Sequence, residues 1–314
     1  MPAFRCNWIW LSLLVILAWQ NGWPVIVEGA RPSNPRRKVN KEVMAAAAKK
    51  LARLDTRKTP GSWMRAHPEQ AQSLAAYQAE RPLPPVWDYT VLYVQPVGDF
   101  SPEQQEIVGI TRDYLARLYG VPVKSLEPLA ENAIPASARR VHPADKQPQI
   151  LSAYVLRNLL QPQRPKDAVA VLGLTAADLW PGEGWNFVFG QASLQERVGV
   201  WSLNRFGDPA AGEASRRLCL LRTLKVAGHE TGHMFGLPHC TRSECGMNGS
   251  NHRDEMDEIR LPFCAECAAK VWWATDRDPA DWYDALIEFA DDHKLEEESA
   301  YWQMYRQGLK AADR

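Results

Sequence analysis

The sequence predicts an α/β (α+β) fold with a mixed sheet and crossover connections, and three stretches carry that prediction. Thr90 to Val94 is a β-branched and aromatic run with the texture of a buried strand. Ala168 to Leu174 is a second strand, apolar throughout. Between them, Ser101-Pro102-Glu103-Gln104 has the form of a capped helix start. Ile107, Ile110, Tyr114, Leu115 and Leu118 follow at helical spacing, with Gly120 placed to stop the helix. Val121 to Leu126 reads as another strand, residues 127 to 148 as an irregular connection, and Ile150 to Leu160 as a helix. Strand, helix, strand, helix, strand implies a layered α/β arrangement.

Later elements extend it. Phe187 to Ala192 and Val198 to Leu203 read as two further strands joined by a polar turn around Gln195-Glu196. A long helix follows, roughly Ala214 to Phe235, with Leu218, Leu221 and Ala227 expected to point inward. Cys219, among leucines in that helix, reads as a buried small hydrophobe.

The ends of the chain have a different character. Met1 to about Ala30 reads as a targeting segment, with Arg5 as its positive start and Trp8 to Trp19 as an apolar run. That run is shorter than the roughly 20 residues a membrane-spanning helix needs. Export, secreted or periplasmic, with cleavage after Gly29 is the expectation, and an uncleaved membrane tether through residues 8–19 is the alternative. Cys6 is assigned no role. Residues 31–85 form a basic helical or linker segment, with helices expected over Lys41 to Leu54 and Glu69 to Glu80 and Arg81-Pro-Leu-Pro-Pro85 closing it. Few large apolar residues lie there, so a linker or peripheral wrap is expected. A main domain spans 86–275, and residues 276–314 read as an acidic helical extension. The formal net charge of +0 gives no global case for nucleic-acid binding, and the basic and acidic ends read as solvated faces.

The chemistry concentrates in His229-Glu230-Thr231-Gly232-His233-Met234-Phe235-Gly236-Leu237-Pro238-His239. On a helix, His229 and His233 lie one turn apart on one face, where both imidazoles can grip one metal ion. Glu230 sits beside the first ligand, within reach of a metal-bound water. Gly236 can adopt the backbone conformation that ends the helix and brings His239 round as a third nitrogen ligand. Three protein ligands leave one tetrahedral position open, the arrangement of a catalytic zinc site. Directly afterwards come Cys240 and Cys245, then Cys264 and Cys267. Four cysteines spaced C-x4-C and C-x-x-C suit a closed, structural zinc site, with two disulfides as the competing reading. Between the pairs lies Met247, at the start of a turn-forming run.

Taken together these residues resemble the archaemetzincin family. The similarity extends to Leu172-Gly-Leu-Thr175 and Trp185-Asn-Phe-Val-Phe-Gly190 and covers roughly residues 88 to 275. The resemblance implies a metzincin-like zincin: a mixed, mostly parallel sheet with an antiparallel edge strand, an active-site helix and a small C-terminal subdomain. It further implies two zinc ions per chain. His229, His233 and His239 would bind the catalytic one and Cys240, Cys245, Cys264 and Cys267 the structural one. Glu230 would be the general base of a peptide-hydrolysing metalloprotease, Met247 would form the Met-turn, and the peptide or protein substrate would lie along the edge strand near Phe187 to Gln195. His252 and Asp254 to Asp257 read as solvated loop residues. A zinc-stabilised peptide-binding protein with little or no turnover is the alternative, disfavoured because such a site has no need of Glu230.

Overall fold

A computed structural model of the chain describes residues 41–57, 61–80 and 90–310. The targeting segment with its 8–19 run, Cys6 and the Arg81 to Pro85 stretch lie outside the described residues. Helices α1 (Lys41–Leu51), α2 (Ser62–Ala66) and α3 (Leu74–Glu80) precede strand β1 (Val91–Val97) and helix α4 (Pro102–Tyr119). Helix α4 is held at both ends as its sequence demands. Ser101 and Gln104 form a reciprocal capping box, and Gly120 closes the helix in the left-handed region at φ 61°. Its Ile107, Tyr114 and Leu115 are fully buried.

Strands β2 (Val123–Ser125), β3 (Arg139–Val141), β4 (Pro148–Leu151), β5 (Ala168–Thr175), β6 (Asp178–Trp180), β7 (Gly190–Ser193) and β8 (Val198–Ser202) follow. The main sheet has the order β2-β1-β5-β8-β7. All its pairs are parallel except β7 with β8, so β7 is an antiparallel edge strand. This is the mixed, mostly parallel sheet with an antiparallel edge strand that the resemblance implies. Strand β5, buried at every position, occupies its centre, as its unbroken apolar run requires.

Residues 127 to 148 are less irregular than expected. Strand β3 pairs antiparallel with β4, and β4 pairs parallel with β6, making a separate three-stranded sheet. Ile150 belongs to β4, and the helical segment starts at Ser152 and continues as a π-helix over Val155–Leu160. These strands are three or four residues long, too short to show a period.

Helix α5 (Glu213–Met234) carries the histidine pair, and its inward stripe corrects the expected one. Leu220, Leu224, Ala227 and Thr231 are buried, whereas Leu218 is 40% exposed and Leu221 half-buried. The stripe is rotated because α4 clasps this helix from one side: a side chain at Gly228 would meet the Tyr114 ring at 3.2 Å, and Tyr119 donates its hydroxyl to the Gly228 carbonyl. Cys219 is buried, and burial pushes its thiol up to about 11.

Helices α6 (Arg253–Glu258), α7 (Ala265–Thr275), α8 (Pro279–Asp292) and α9 (Glu296–Lys310) complete the chain. The acidic extension is amphipathic: Trp282, Phe289, Trp302 and Tyr305 are buried, while outward acids pair with Arg117 and Arg306. Such exposed pairs contribute little each. The basic segment is not peripheral. Met44, Leu51, Leu74 and Tyr77 are all buried in the main core, Trp63 is fully buried beside His239, and α1 packs on α7 and α9. Its large apolar residues are few, and most of them are covered, Val43 at 50% exposure being an exception. Among the described residues, no helix is long and apolar enough to cross a membrane.

Candidate metal centre

Helix α5 ends at Met234, and Gly236 takes φ 83°, a left-handed conformation that costs a residue with a side chain far more than glycine. The turn is closed by Gly236 N donating to His233 O (2.8 Å) and Leu237 N to Gly232 O (3.0 Å). It returns the chain so that His239 faces the pair on the helix. Ring centroids of His229, His233 and His239 lie 4.6, 4.7 and 5.2 Å apart. One nitrogen from each falls within 4.8 Å of the others.

Their tautomers follow from their partners. His229 Nδ1 donates to the Gly246 carbonyl (3.0 Å), His233 Nδ1 to the Leu237 carbonyl (2.7 Å), and His239 Nδ1 to the Glu69 carboxylate (3.2 Å). These oxygens only accept, so each Nδ1 carries the hydrogen and each Nε2 is left with a free lone pair. His229 and His233 then turn bare Nε2 atoms toward each other at 3.0 Å. Two lone pairs repel at that distance unless a cation lies between them. Zinc–nitrogen bonds of roughly 2.0–2.1 Å in a tetrahedron set nitrogens only slightly farther apart, so the residues fit zinc. Burial holds all three imidazoles below the usual histidine range, His233 and His239 well below it, which favours the neutral form a ligand needs.

Glu230 is half-buried at the same cleft, and desolvation pushes its carboxyl up to about 7. The cleft is walled by Phe189 and Gly190 at the start of the edge strand, by Lys225 and Val226 of α5, and by Gly249, Met256 and Ile259 opposite. Lys225 is tied to the carbonyls of Met256 and Asp257.

The four cysteines form a second, closed group. Cys240, Cys245, Cys264 and Cys267 bring their sulfurs within 4.8 Å of one another, all are buried, and none is in a disulfide. Cys240 and Cys264 stand 3.8 Å apart, close to the tetrahedral edge that zinc–sulfur bonds of about 2.3 Å would span. The neighbouring thiols donate to Cys240 and hold it far below the ordinary thiol range. Backbone N–H groups of Met247 and Cys264 point at Cys245 Sγ (3.4 and 3.2 Å). Asn248, 2% exposed, ties the loop together: its Oδ1 accepts from Cys245 N, and its Nδ2 donates to the carbonyls of Cys240 and Ser243.

Met247 packs against the histidine helix, fully buried. A side chain at Gly232 would begin 2.5 Å from Met247 Sδ. Its carbonyl accepts from Cys240 N at 2.7 Å. Of the loop residues expected to be solvated, Glu255 is 7% exposed and takes hydrogen bonds from Trp63 N, Asn251 N and Ser62 Oγ. Asp257 pairs with the buried Arg222, and His252 caps α6. Reasoning along the sequence also missed Glu69 and Trp63, whose ring lies 4.3 Å from that of His239. No local signal marks either, because both reach the site from about 170 positions upstream.

This is the layout of a three-histidine zinc hydrolase backed by a cysteine cluster. The sequence profile of peptidase family M54 matches residues 163–272. Archaemetzincin-2 of Macaca fascicularis is 32% identical over 268 residues, covering 74% of this chain and 73% of that protein. Archaemetzincin of Thermococcus kodakarensis is 35% identical over 185 residues, 58% of this chain and 95% of that one. The crystal structure of archaemetzincin from Methanopyrus kandleri, 30% identical, covers 60% of this chain and 97% of its own with a TM-score of 0.46. The chain belongs to the archaemetzincin family and is a zinc metallopeptidase.

Proposed function

We propose that this peptidase uses Glu230 as its general base, with His229, His233 and His239 holding the catalytic zinc and Cys240, Cys245, Cys264 and Cys267 a second, structural one. The convergence of three hydrogen-free Nε2 atoms beside a cleft that also presents Glu230 carries this reading. When bound, zinc acidifies water toward neutrality and polarises a carbonyl. Glu230 takes the proton of the attacking water and later delivers it to the departing amine, a task that favours a carboxyl poised near neutral pH. The substrate backbone adds to the free side of β7, whose Gly190 borders the cleft. Met247 supports the histidine helix from below.

Glu230→Gln is expected to keep both zinc ions and to lower kcat by about 10²–10⁴ on a mixed peptide library, with metal content read by atomic absorption. Parent-like cleavage by that variant would overturn the base assignment. A parent that binds zinc at the histidines and cleaves no peptide would instead be a binding protein. We also propose export, supported by Arg5 and the apolar run Trp8 to Trp19. Recovery of the protein outside the cytoplasm with a new amino terminus near residue 30 tests it. Retention of the full chain in the membrane fraction would favour a tether.

A further inference from the structure

Each zinc-facing histidine is oriented by the acceptor on its other nitrogen, and the three acceptors are not alike. His229 and His233 use the carbonyls of Gly246 and Leu237, neutral groups supplied by the loops next to the motif. His239 uses a carboxylate, with both oxygens of Glu69 at 3.2 Å from its Nδ1. Glu69 comes from the amino-terminal segment, and that stretch is pinned on both sides. Before it, Trp63 is fully buried against His239, and its N–H is bound by Glu255. After it, Leu74 N donates to Glu266, and Tyr77 donates to the Phe235 carbonyl at the end of the active-site helix. Glu69 is not among the atoms that converge at the histidines, so it acts on His239 from behind rather than as a ligand.

We infer that Glu69 is a positioning residue for the third zinc ligand, and that residues 61–80 are therefore a working part of the metal centre rather than a removable segment. The inference rests on the proposed zinc role of His239. A carboxylate on the far nitrogen fixes the ring and raises the basicity of the ligating one, and loss of such a partner typically weakens metal binding 10–100-fold.

Glu69→Ala and Glu69→Gln in the full chain test this. The readouts are zinc affinity by competition with a chromophoric chelator, the visible absorption of the protein with cobalt at the histidines, and the melting midpoint of protein emptied at the histidines but still loaded at the cysteines. Glu69→Ala is expected to bind catalytic zinc about 10–100-fold more weakly and to shift the cobalt band, with the midpoint of the protein emptied only at the histidines unchanged. Glu69→Gln, which still accepts the hydrogen bond but lacks the charge, is expected to lie between alanine and parent. Parent-like affinity and cobalt band in Glu69→Ala would overturn the inference. So would a fall in the midpoint of the protein emptied only at the histidines that tracks the affinity and is not relieved in Glu69→Gln, since that marks a merely structural role. If Glu69→Ala does not fold, the near-isosteric Glu69→Gln is read alone, and parent-like affinity and band there overturn the inference. Failure of the parent to cleave peptides would sink the proposed function while leaving the effect of Glu69 on zinc affinity readable.

Discussion

The histidine and cysteine clusters sit side by side in the chain, at His239 and Cys240, yet they are built in opposite ways. The histidines border an open cleft, and their outer nitrogens are held by oxygens drawn from three different segments. The cysteines are closed in, Cys245, Cys264 and Cys267 at 0–2% exposure, with backbone N–H groups aimed at sulfur. An open site leaves a coordination position for chemistry, whereas a closed one can only hold the fold together. The tripeptide Cys245-Gly246-Met247 serves both. Its cysteine faces the sulfur cluster, its glycine carbonyl orients His229, and its methionine side chain lies under Gly232. Damage to the closed cluster should therefore reach the open one, and damage in the other direction should stay local.

The largest expected effect tests that asymmetry. Structural zinc binding is worth on the order of 10 kcal/mol, comparable to the whole stability of a domain. Cys264→Ser is expected to lose the second zinc, collapse the melting midpoint and weaken zinc at the histidines as well. His233→Ala is expected to lose one zinc and all activity while the cysteine site stays loaded and the fold persists. Zinc per chain and the thermal midpoint of both variants decide the matter. If Cys264→Ser melted with the parent, or if His233→Ala emptied both sites, the division of labour would fail.

The floor shared by the two clusters gives an intermediate effect. In a helix interior, glycine to alanine ordinarily stabilises by up to about 1 kcal/mol. At Gly232 the new methyl would stand 2.5 Å from Met247 Sδ, so Gly232→Ala is expected to cost about 1–3 kcal/mol instead. In a Met247→Ala background the clash is gone, so Gly232→Ala should become neutral or stabilising there, a sign reversal that a double-mutant cycle in urea measures. An additive cycle would mean that Met247 does not press on the helix.

What could be read from the sequence divides along a physical line. The histidines, cysteines, Gly236 and the Ser101 cap were legible because their partners lie within a few residues and the spacing itself encodes the geometry. Strand β5 was legible because a strand covered on both faces must be apolar throughout. Glu69 was not, since nothing near it marks a carboxylate destined for a histidine 170 positions away. Gly246 and Leu237 act through carbonyls, which every residue has. Leu218 misled because a leucine on a long helix signals burial somewhere, and only the position of α4 says on which side. The amino-terminal segment misleads because its average composition hides the four large residues that reach the core.

The smallest expected effect concerns Glu255, which ties the loop after the cysteine pair to the amino-terminal segment beside His239. Desolvation raises its carboxyl, but hydrogen bonds from Trp63 N, Asn251 N and Ser62, with His252 nearby, outweigh it and hold the group below the ordinary glutamate range. A carboxyl depressed in the folded state contributes stability that is complete above its unfolded pKa, near 4.3, and is lost as pH falls through the folded value. Glu255→Gln should therefore be less stable than the parent at neutral pH by an amount that stays constant down to about pH 5 and then shrinks. Zinc release in acid acts on both proteins alike and cancels in the difference between their urea midpoints. A gap that widened on acidification would mean that Glu255 is held above its ordinary range, and that the clamp on Trp63 depends on a neutral carboxyl.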